Sequence, residues 1–437
     1  MRRLTVMSLI FFMSGCPQRP ADDGRDLFIL VDPAIAQASN AILQAQEVPI
    51  ERGVLVRINP NILVELQGDP AGWRPFRVNT IIGGSSEMST ITYTPVTAEI
   101  ARWQARAQDG STLDIFLESG NATGVILVDD HELRIYGGLE QDVQRLIDLD
   151  ETRSLEGPDA IPNPLPVPPG AEVATPPNVC DYDHDILVPP GKGARPTIMI
   201  LWTSAAQAWL ESQGRTIPSE IQQIMAALAA AMQGSWTAVY PTLVHQQAIT
   251  YIETGPGMVG DLNALTDGRV PGVHSLRDRY RADLVILIGH YPNASACGIG
   301  WINENAAQVD ASRYGYSISN VDVVDDAVGS LYCDFPVTPV HEVGHNLGMQ
   351  HDRANAGSSY LSYNFGHVNV PARRRTIMAY NSVCAAQGVT CQRVMRFSTP
   401  YELYPKDGPM GVRADQPGAT HNMETLCRLA GAIDSFR

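Results

Sequence analysis

The chain predicts two folded domains separated by a proline-rich linker: a small β-rich domain over residues 27–155 and a larger α+β or α/β domain over 196–437. Three observations carry that division. At 437 residues the chain is long enough to bury two cores. Pro158, Pro162, Pro164, Pro166, Pro168, Pro169, Pro176 and Pro177 exclude helix or central strand across 156–179 and favour extended, exposed chain, the kind proteases cut. Strand-like runs dominate before the linker, which is assigned to 156–195. After it, wholly apolar runs of strand length alternate with capped helical segments.

The chain opens on a processing signal. Arg2 and Arg3 precede an apolar stretch over 4–13 that is too short to span a bilayer. It ends in Met13-Ser14-Gly15-Cys16, which resembles the bacterial lipobox. The resemblance implies a signal peptide over 1–15, a lipidated Cys16, a tether over 16–26 and a cell-envelope lipoprotein that meets the membrane through its lipid. A plain secretory signal or an uncleaved anchor is the competing reading.

In the first domain, residues 54–58, 62–66, 113–117 and 124–128 read as strands, and 97–108 and 140–149 as helices. No catalytic constellation stands out, and His131 is isolated. In the second domain, strands are expected at 197–203, 243–252, 282–289 and 314–321. Ser204 and Ser219 are expected to cap helices. Residues 274–280 and 417–436 complete the helical set. His245, His274 and His290 fall at element edges and read as structural histidines.

The formal net charge of −16 argues against nucleic acid as a partner. Apart from Cys16 there are six cysteines, an even number that suggests disulfides in an exported chain. Several pairings stay open. Cys384 and Cys391 are close enough to clip a loop, Cys297 and Cys333 flank the approach to the motif below, and Cys180 with Cys427 would tie the linker to the last helix. Cys180 lies in Cys180-Asp181-Tyr182-Asp183-His184-Asp185, an acidic loop that reads as solvated.

The chemistry sits in His341-Glu342-Val343-Gly344-His345-Asn346-Leu347-Gly348-Met349-Gln350-His351-Asp352. Histidines four apart share one helix face, so His341 and His345 can reach one metal ion. Glu342 points elsewhere and can reach a water at the metal without being a ligand. Gly348 accepts φ > 0 and lets the helix stop, returning His351 as a third nitrogen. Three ligands with a fourth position open describe a catalytic zinc, Zn²⁺, rather than a structural one. The bland alternative is an amphipathic helix that happens to carry histidines. The extended spacing is the metzincin signature.

The run Ala282-Asp283-Leu284-Val285, then Cys297-Gly298-Ile299-Gly300-Trp301, Cys333 and His341, resembles reprolysin-type and peptidyl-Asp-type metzincins. The similarity covers roughly 196–436. It implies a zincin-like domain: a twisted mixed sheet with an antiparallel edge strand, an active-site helix and a Met-turn. Thr376-Ile377-Met378-Ala379-Tyr380 resembles that turn, with Met378 as an apolar floor under the imidazoles. Tyr380 matches a tyrosine that approaches the metal in astacin- and serralysin-like relatives. Asp352 after the third histidine implies a structural role. Phe397-Ser398-Thr399-Pro400 resembles the segment that shapes the primed side.

The expected function is therefore a zinc endopeptidase with a protein or peptide substrate. Glu342 would be general base and Tyr380 an oxyanion donor, and the strand at 314–321 would take substrate as an added antiparallel strand. The layout also resembles a zymogen, released by a cut in the linker. Cys180 as a thiolate blocking the metal lacks the surrounding residues of such switches and would leave an odd cysteine. Calcium at Asp322, Asp325 and Asp326 has no support beyond their acidity. Two other readings compete: a zinc hydrolase of cell-wall peptide crosslinks, and a non-catalytic surface-binding lipoprotein, which would carry damaged motif residues.

Overall fold

The computed structural model describes residues 24–31, 50–79, 81, 85–128, 131–137, 143–149, 155–157, 159–165, 193–254, 257–292, 294–308, 310–321, 323–326, 329–401 and 407–437. Cys16, Cys180, the Asp181 to Asp185 cluster and Asp322 lie outside them, as do the side chains of Asp325 and Asp326. Among the described residues, no helix is long and apolar enough to cross a membrane.

The first domain is one antiparallel sheet. Its strands are β1 (Phe28–Leu30), β2 (Ile50–Ile58), β3 (Phe76–Asn79), β4 (Ser85–Pro95), β5 (Ile100–Ala107), β6 (Thr112–Glu118), β7 (Asn121–Val128), β8 (His131–Gly137) and β9 (Gln144–Leu149). They stand in the order β1-β2-β9-β8-β7-β6-β5-β4-β3. The two ends of that order meet: Leu27 N–H donates to the Arg77 carbonyl, and Arg77 N–H to the Arg25 carbonyl. A sheet that closes on itself satisfies its edges and encloses its own core, here Met88, Trp103, Ile115, Ile126 and Ile135.

Three local expectations fail in this domain. Residues 97–108 hold strand β5, not a helix. Its helix-forming Ala, Arg and Gln residues are overruled by register with β4 and β6, which buries Trp103, Ala105 and Ala107 at alternate positions. Of the helix expected over 140–149, the described residues 144–149 form β9 for the same reason, paired on both sides by β2 and β8. Residues 62–66 are not strand but part of helix α1 (Pro60–Leu66). The Asn59 side chain accepts from Asn61 N–H, and Pro60 occupies the first turn, where its missing N–H is not needed.

The second domain layers helices on both faces of a sheet. Its strands are β10 (Ala160–Pro162), β11 (Thr197–Thr203), β12 (Thr242–Ile249), β13 (Leu284–Gly289), β14 (Gly298–Ile302) and β15 (Tyr316–Asn320), ordered β10-β14-β15-β13-β11-β12. β11 is parallel to β12 and β13, β13 is parallel to β15, and β14 is antiparallel to β15. The helices are α2 (Ser204–Ser212), α3 (Ile217–Gly234), α4 (Met258–Thr266), α5 (Val273–Tyr280), α6 (Val337–Asn346), α7 (Ser382–Ala385) and α8 (Asn422–Ile433). Period two sorts the core. Ile198, Ile200, Ile286 and Ile288 pack with α2, α3, α6 and α8, while Met199, Leu201, Val285 and Leu287 pack with α4 and α5. The caps sit earlier than expected: Thr203 accepts from Ala206 N–H at α2, and Thr216 from Ser219 N–H at α3.

Two corrections bear on function. The strand expected to receive substrate, β15, has neighbours on both sides, so it has no free edge. The strand outside it is β14, which turns back antiparallel. The linker is also not exposed throughout. Ala160–Pro162 pairs in parallel with Gly300–Ile302, and Asp159 and Asn163 are buried. Proline is tolerated there because a strand at the sheet margin keeps one side of its backbone free of the ladder.

Disulfides Cys297–Cys333 and Cys384–Cys391 are present as expected. Cys427 is disulfide-bonded too. The domains touch through Arg134, whose guanidinium lies 2.6 Å from the Asp334 carboxylate, through Thr123 with Ser219, and through Arg215 over the Tyr136 ring.

Candidate active site

Helix α6 is buried over its whole length and packs on β14 and β15. It ends as a Gly at C′ requires. Leu347 closes the last turn, Gly348 N–H donates to the His345 carbonyl, and Met349 N–H to the Gly344 carbonyl. Gly348 has φ +87°, and a Cβ there would lie 2.4 Å from Leu429 Cδ1. The chain then runs straight into Gln350–Asp352, which carries His351 back toward the helix.

The three imidazoles converge. The Nε2 atoms of His341, His345 and His351 lie 3.1, 3.1 and 3.2 Å from one another. His341 Nδ1 donates to the Ile377 carbonyl at 2.9 Å and His345 Nδ1 to the Met349 carbonyl at 2.8 Å. A carbonyl only accepts, so each of these rings carries its proton on Nδ1 and presents a lone pair at Nε2. Burial, foremost, pushes His341 well below its usual range and lowers His345, which keeps them neutral. Neutral lone pairs cannot bond one another. Four-coordinate zinc with bonds of about 2.0–2.1 Å sets its nitrogens about 3.3 Å apart. The donor set fits that ion.

Glu342 is fully buried and neither carboxylate oxygen has a hydrogen-bond partner. Burial, then the charge of Asp159, pushes its carboxyl well above the usual range. Its space is made by glycine: a Cβ on Gly298 would lie 2.3 Å from Glu342 Oε1. Met378 is buried beneath α6, where a Cβ on Gly344 would meet its sulfur at 2.4 Å. Asp352 accepts from the backbone N–H of Tyr380 at 3.0 Å and so holds the turn. The Tyr380 ring lies 4.4 Å from the His351 ring. Phe397 is buried against Gly344, and Ser398 donates to the Phe365 carbonyl. His245 stacks on Tyr280, His274 Nε2 bonds the Leu265 carbonyl, and His290 stacks on Trp209, all away from this cluster.

Sequence reasoning missed one member. Asp159 forms a metal-capable group with the three histidines, all ligand atoms within 4.8 Å. Its carboxylate lies 2.7 Å from His351 Nε2, 3.6 Å from His341 Nε2 and 3.8 Å from His345 Nε2. Burial raises its carboxyl, but the neighbouring histidines, His351 foremost and then His341, draw it well below the usual range. Tyr380 donates its hydroxyl to Asp159 at 2.7 Å. Glu156, three residues earlier, accepts from Asn381 N–H at 2.7 Å and lies 2.9 Å from the Arg375 guanidinium. An isolated acidic residue among prolines carries no spacing signal that would have pointed here.

Fold and site together resemble a metzincin-like metalloprotease domain. Residues 219–400 match the family described as Reprolysin_4: Metallo-peptidase family M12B Reprolysin-like. No curated protein matches the chain. Among solved structures, a chain from "Structure of a chaperone-substrate complex" is 16% identical with a TM-score of 0.40, covering 76% of this chain. The present chain spans 40% of that chain's length. Metalloproteinase-II from Bacteroides fragilis is 10% identical with a TM-score of 0.39, covering 64% of this chain and 81% of that one.

Proposed function

We propose that the chain is a zinc endopeptidase made as an exported, lipid-anchored precursor. The observation that supports it is the meeting of three Nε2 atoms beside a buried, unpartnered glutamate. His341, His345 and His351 would hold the ion as neutral imidazoles. A bound zinc supplies a water whose pKa falls toward about 7 and a positive centre for the scissile carbonyl oxygen. Glu342 then takes the proton of the attacking water and delivers it to the leaving amine, a role suited to a carboxyl whose proton affinity burial has raised. The Tyr380 hydroxyl donates to the developing oxyanion. Met378 floors the site and Asp352 steadies the Tyr380 backbone.

Substrate would pair antiparallel with β14, the strand outside β15, gaining backbone hydrogen bonds along Gly298–Ile302. Cys16 would carry the lipid, and a cut in the proline-rich linker would release the catalytic domain. The test is Glu342→Ala in the processed enzyme. It should keep one zinc and an unchanged melt yet lose casein hydrolysis by about 10²–10⁴-fold. Near-normal turnover would sink the assignment.

A further inference from the structure

We infer that Asn303 and Asn305 form a substrate subsite for a primary-amide side chain, that of Asn or Gln, roughly three or four residues ahead of the scissile bond; this deepens the zinc endopeptidase reading above and rests on it. Asn303 and Asn305 are both buried. Asn303 Nδ2 donates to the Tyr314 and Asn346 carbonyls, each at 3.1 Å, so Asn303 Oδ1 is held the other way as a fixed acceptor. Among the described residues, the partners of Asn303 Oδ1 and of the whole Asn305 amide come from the linker. Asn163 Nδ2 donates to Asn303 Oδ1 at 2.9 Å and also to Asn305 Oδ1. Asn305 Nδ2 donates back to Asn163 Oδ1 at 2.8 Å and reaches the Leu165 carbonyl at 3.4 Å.

Two acceptors and one donor thus converge on a single side chain. That set is the complement of a primary amide, which has two N–H donors and one carbonyl. Once a linker cut lets Asn163 leave, the same atoms need a new partner, because a buried polar atom left unpaired costs its desolvation. A substrate Asn or Gln restores every bond. An Asp or Glu would set a carboxylate oxygen against Asn303 Oδ1, which cannot turn away without losing both carbonyls. The neighbouring Glu304 carboxylate also opposes a second anion. It accepts from Gln350 at 2.8 Å, Asn364 at 3.0 Å and the Tyr360 N–H at 2.6 Å, and is fixed in place. A cavity beside Asn163, walled by Glu304, Ser359 and Tyr360, has room for the extra methylene of Gln.

The subsite lies on the track proposed for substrate. Asn163 N–H donates to the Ile302 carbonyl at 3.3 Å, at the end of β14. Asp159, which stands at the histidines, precedes Asn163 by four residues, roughly 13 Å of extended chain. The linker runs parallel to β14, whereas substrate would run against it. The Asn303–Asn305 end of the cleft therefore receives residues on the amino-terminal side of the scissile bond.

The experiment uses the full chain, expressed whole so that the second domain folds beside the first, then loaded with zinc and cut in its linker. Wild type, Asn305→Leu and Asn305→Asp are each assayed on quenched fluorescent peptides that vary every position ahead of the cleaved bond. Wild type should favour Asn or Gln over Ala, Leu and Asp by about 10-fold or more in kcat/KM at one of the two positions, because the others leave buried hydrogen bonds unmade. Asn305→Leu should flatten that preference to within about twofold, and Asn305→Asp, which turns the one donor into a third acceptor, should shift it toward Lys by about 10-fold. Each preference is a ratio within one protein, so a loss of folded enzyme cancels, and an asparagine that only supports the fold would lower all peptides alike. Cleavage with no amide preference, or with the same preference in all three proteins, overturns the subsite and leaves the zinc reading intact. Failure of zinc-loaded wild type to cleave any peptide overturns both.

Discussion

Gly298 tests whether the cleft geometry is what places Glu342. A Cβ at this position would lie 2.3 Å from Glu342 Oε1 and 2.7 Å from its Cδ and Cγ, against an ordinary contact of 3.4 Å or more. In Gly298→Ala the carboxylate must therefore retreat by about 1 Å. It has little room, because the side chain is fully buried. A displacement of about 1 Å in a reacting group can cost about 10²-fold in rate, near 2.7 kcal/mol of transition-state stabilisation. Overpacking should cost a further ~1–3 kcal/mol of stability. The assay is kcat/KM of the processed enzyme on a quenched fluorescent peptide, with zinc content and a urea melt measured in parallel. The variant should bind zinc, fold, and turn over about 10²-fold slower. Turnover within about threefold of the parent at equal zinc content would refute the claim that this glycine sets the position of Glu342.

Two further outcomes follow from the same reasoning. Gly348→Ala puts a side chain at φ +87° against Leu429, so left-handed strain of about 1–2 kcal/mol adds to overpacking of about 1–3 kcal/mol. A urea melt within about 1 kcal/mol of the parent would show that the turn does not need glycine. In the first domain, burial tends to raise the Glu65 carboxyl, but Arg25 and Arg74 bring it from 4.5 down to about 2. A depressed folded value stabilises fully above the unfolded one, so that contribution should persist above about pH 4.5 and fade toward pH 2. The urea midpoints of wild type and Glu65→Gln should converge across that window; a constant gap would remove Glu65 from the acid response.

Much of the site was legible in the chain because its rules are local. The i, i+4 spacing of His341 and His345, the carboxyl of Glu342 one position on, and the left-handed stop at Gly348 follow from helix geometry alone. The strongly apolar runs at 197–203 and 282–289 are strands β11 and β13, because such short runs fill a sheet covered on both faces. Local reading failed where partners decide. Residues 97–108 have helix-forming composition, yet two neighbouring strands claim them. Residues 62–66 look like a strand until Asn59 and Pro60 are weighed as a helix start.

The amino-acid order by itself determined the helix that carries His341 and His345 and its stop at Gly348, since each depends on residues within a few turns of one another. Only the tertiary structure decided which strand borders the cleft, that Gly298 makes room for the glutamate, and that Asp159 enters the histidine cluster. Asp159 and His341 are far apart in the chain, and no periodicity links them. They meet because β14 runs antiparallel outside β15 and pairs a piece of the linker along its margin, and register between distant strands is a property of the folded sheet rather than of any one segment.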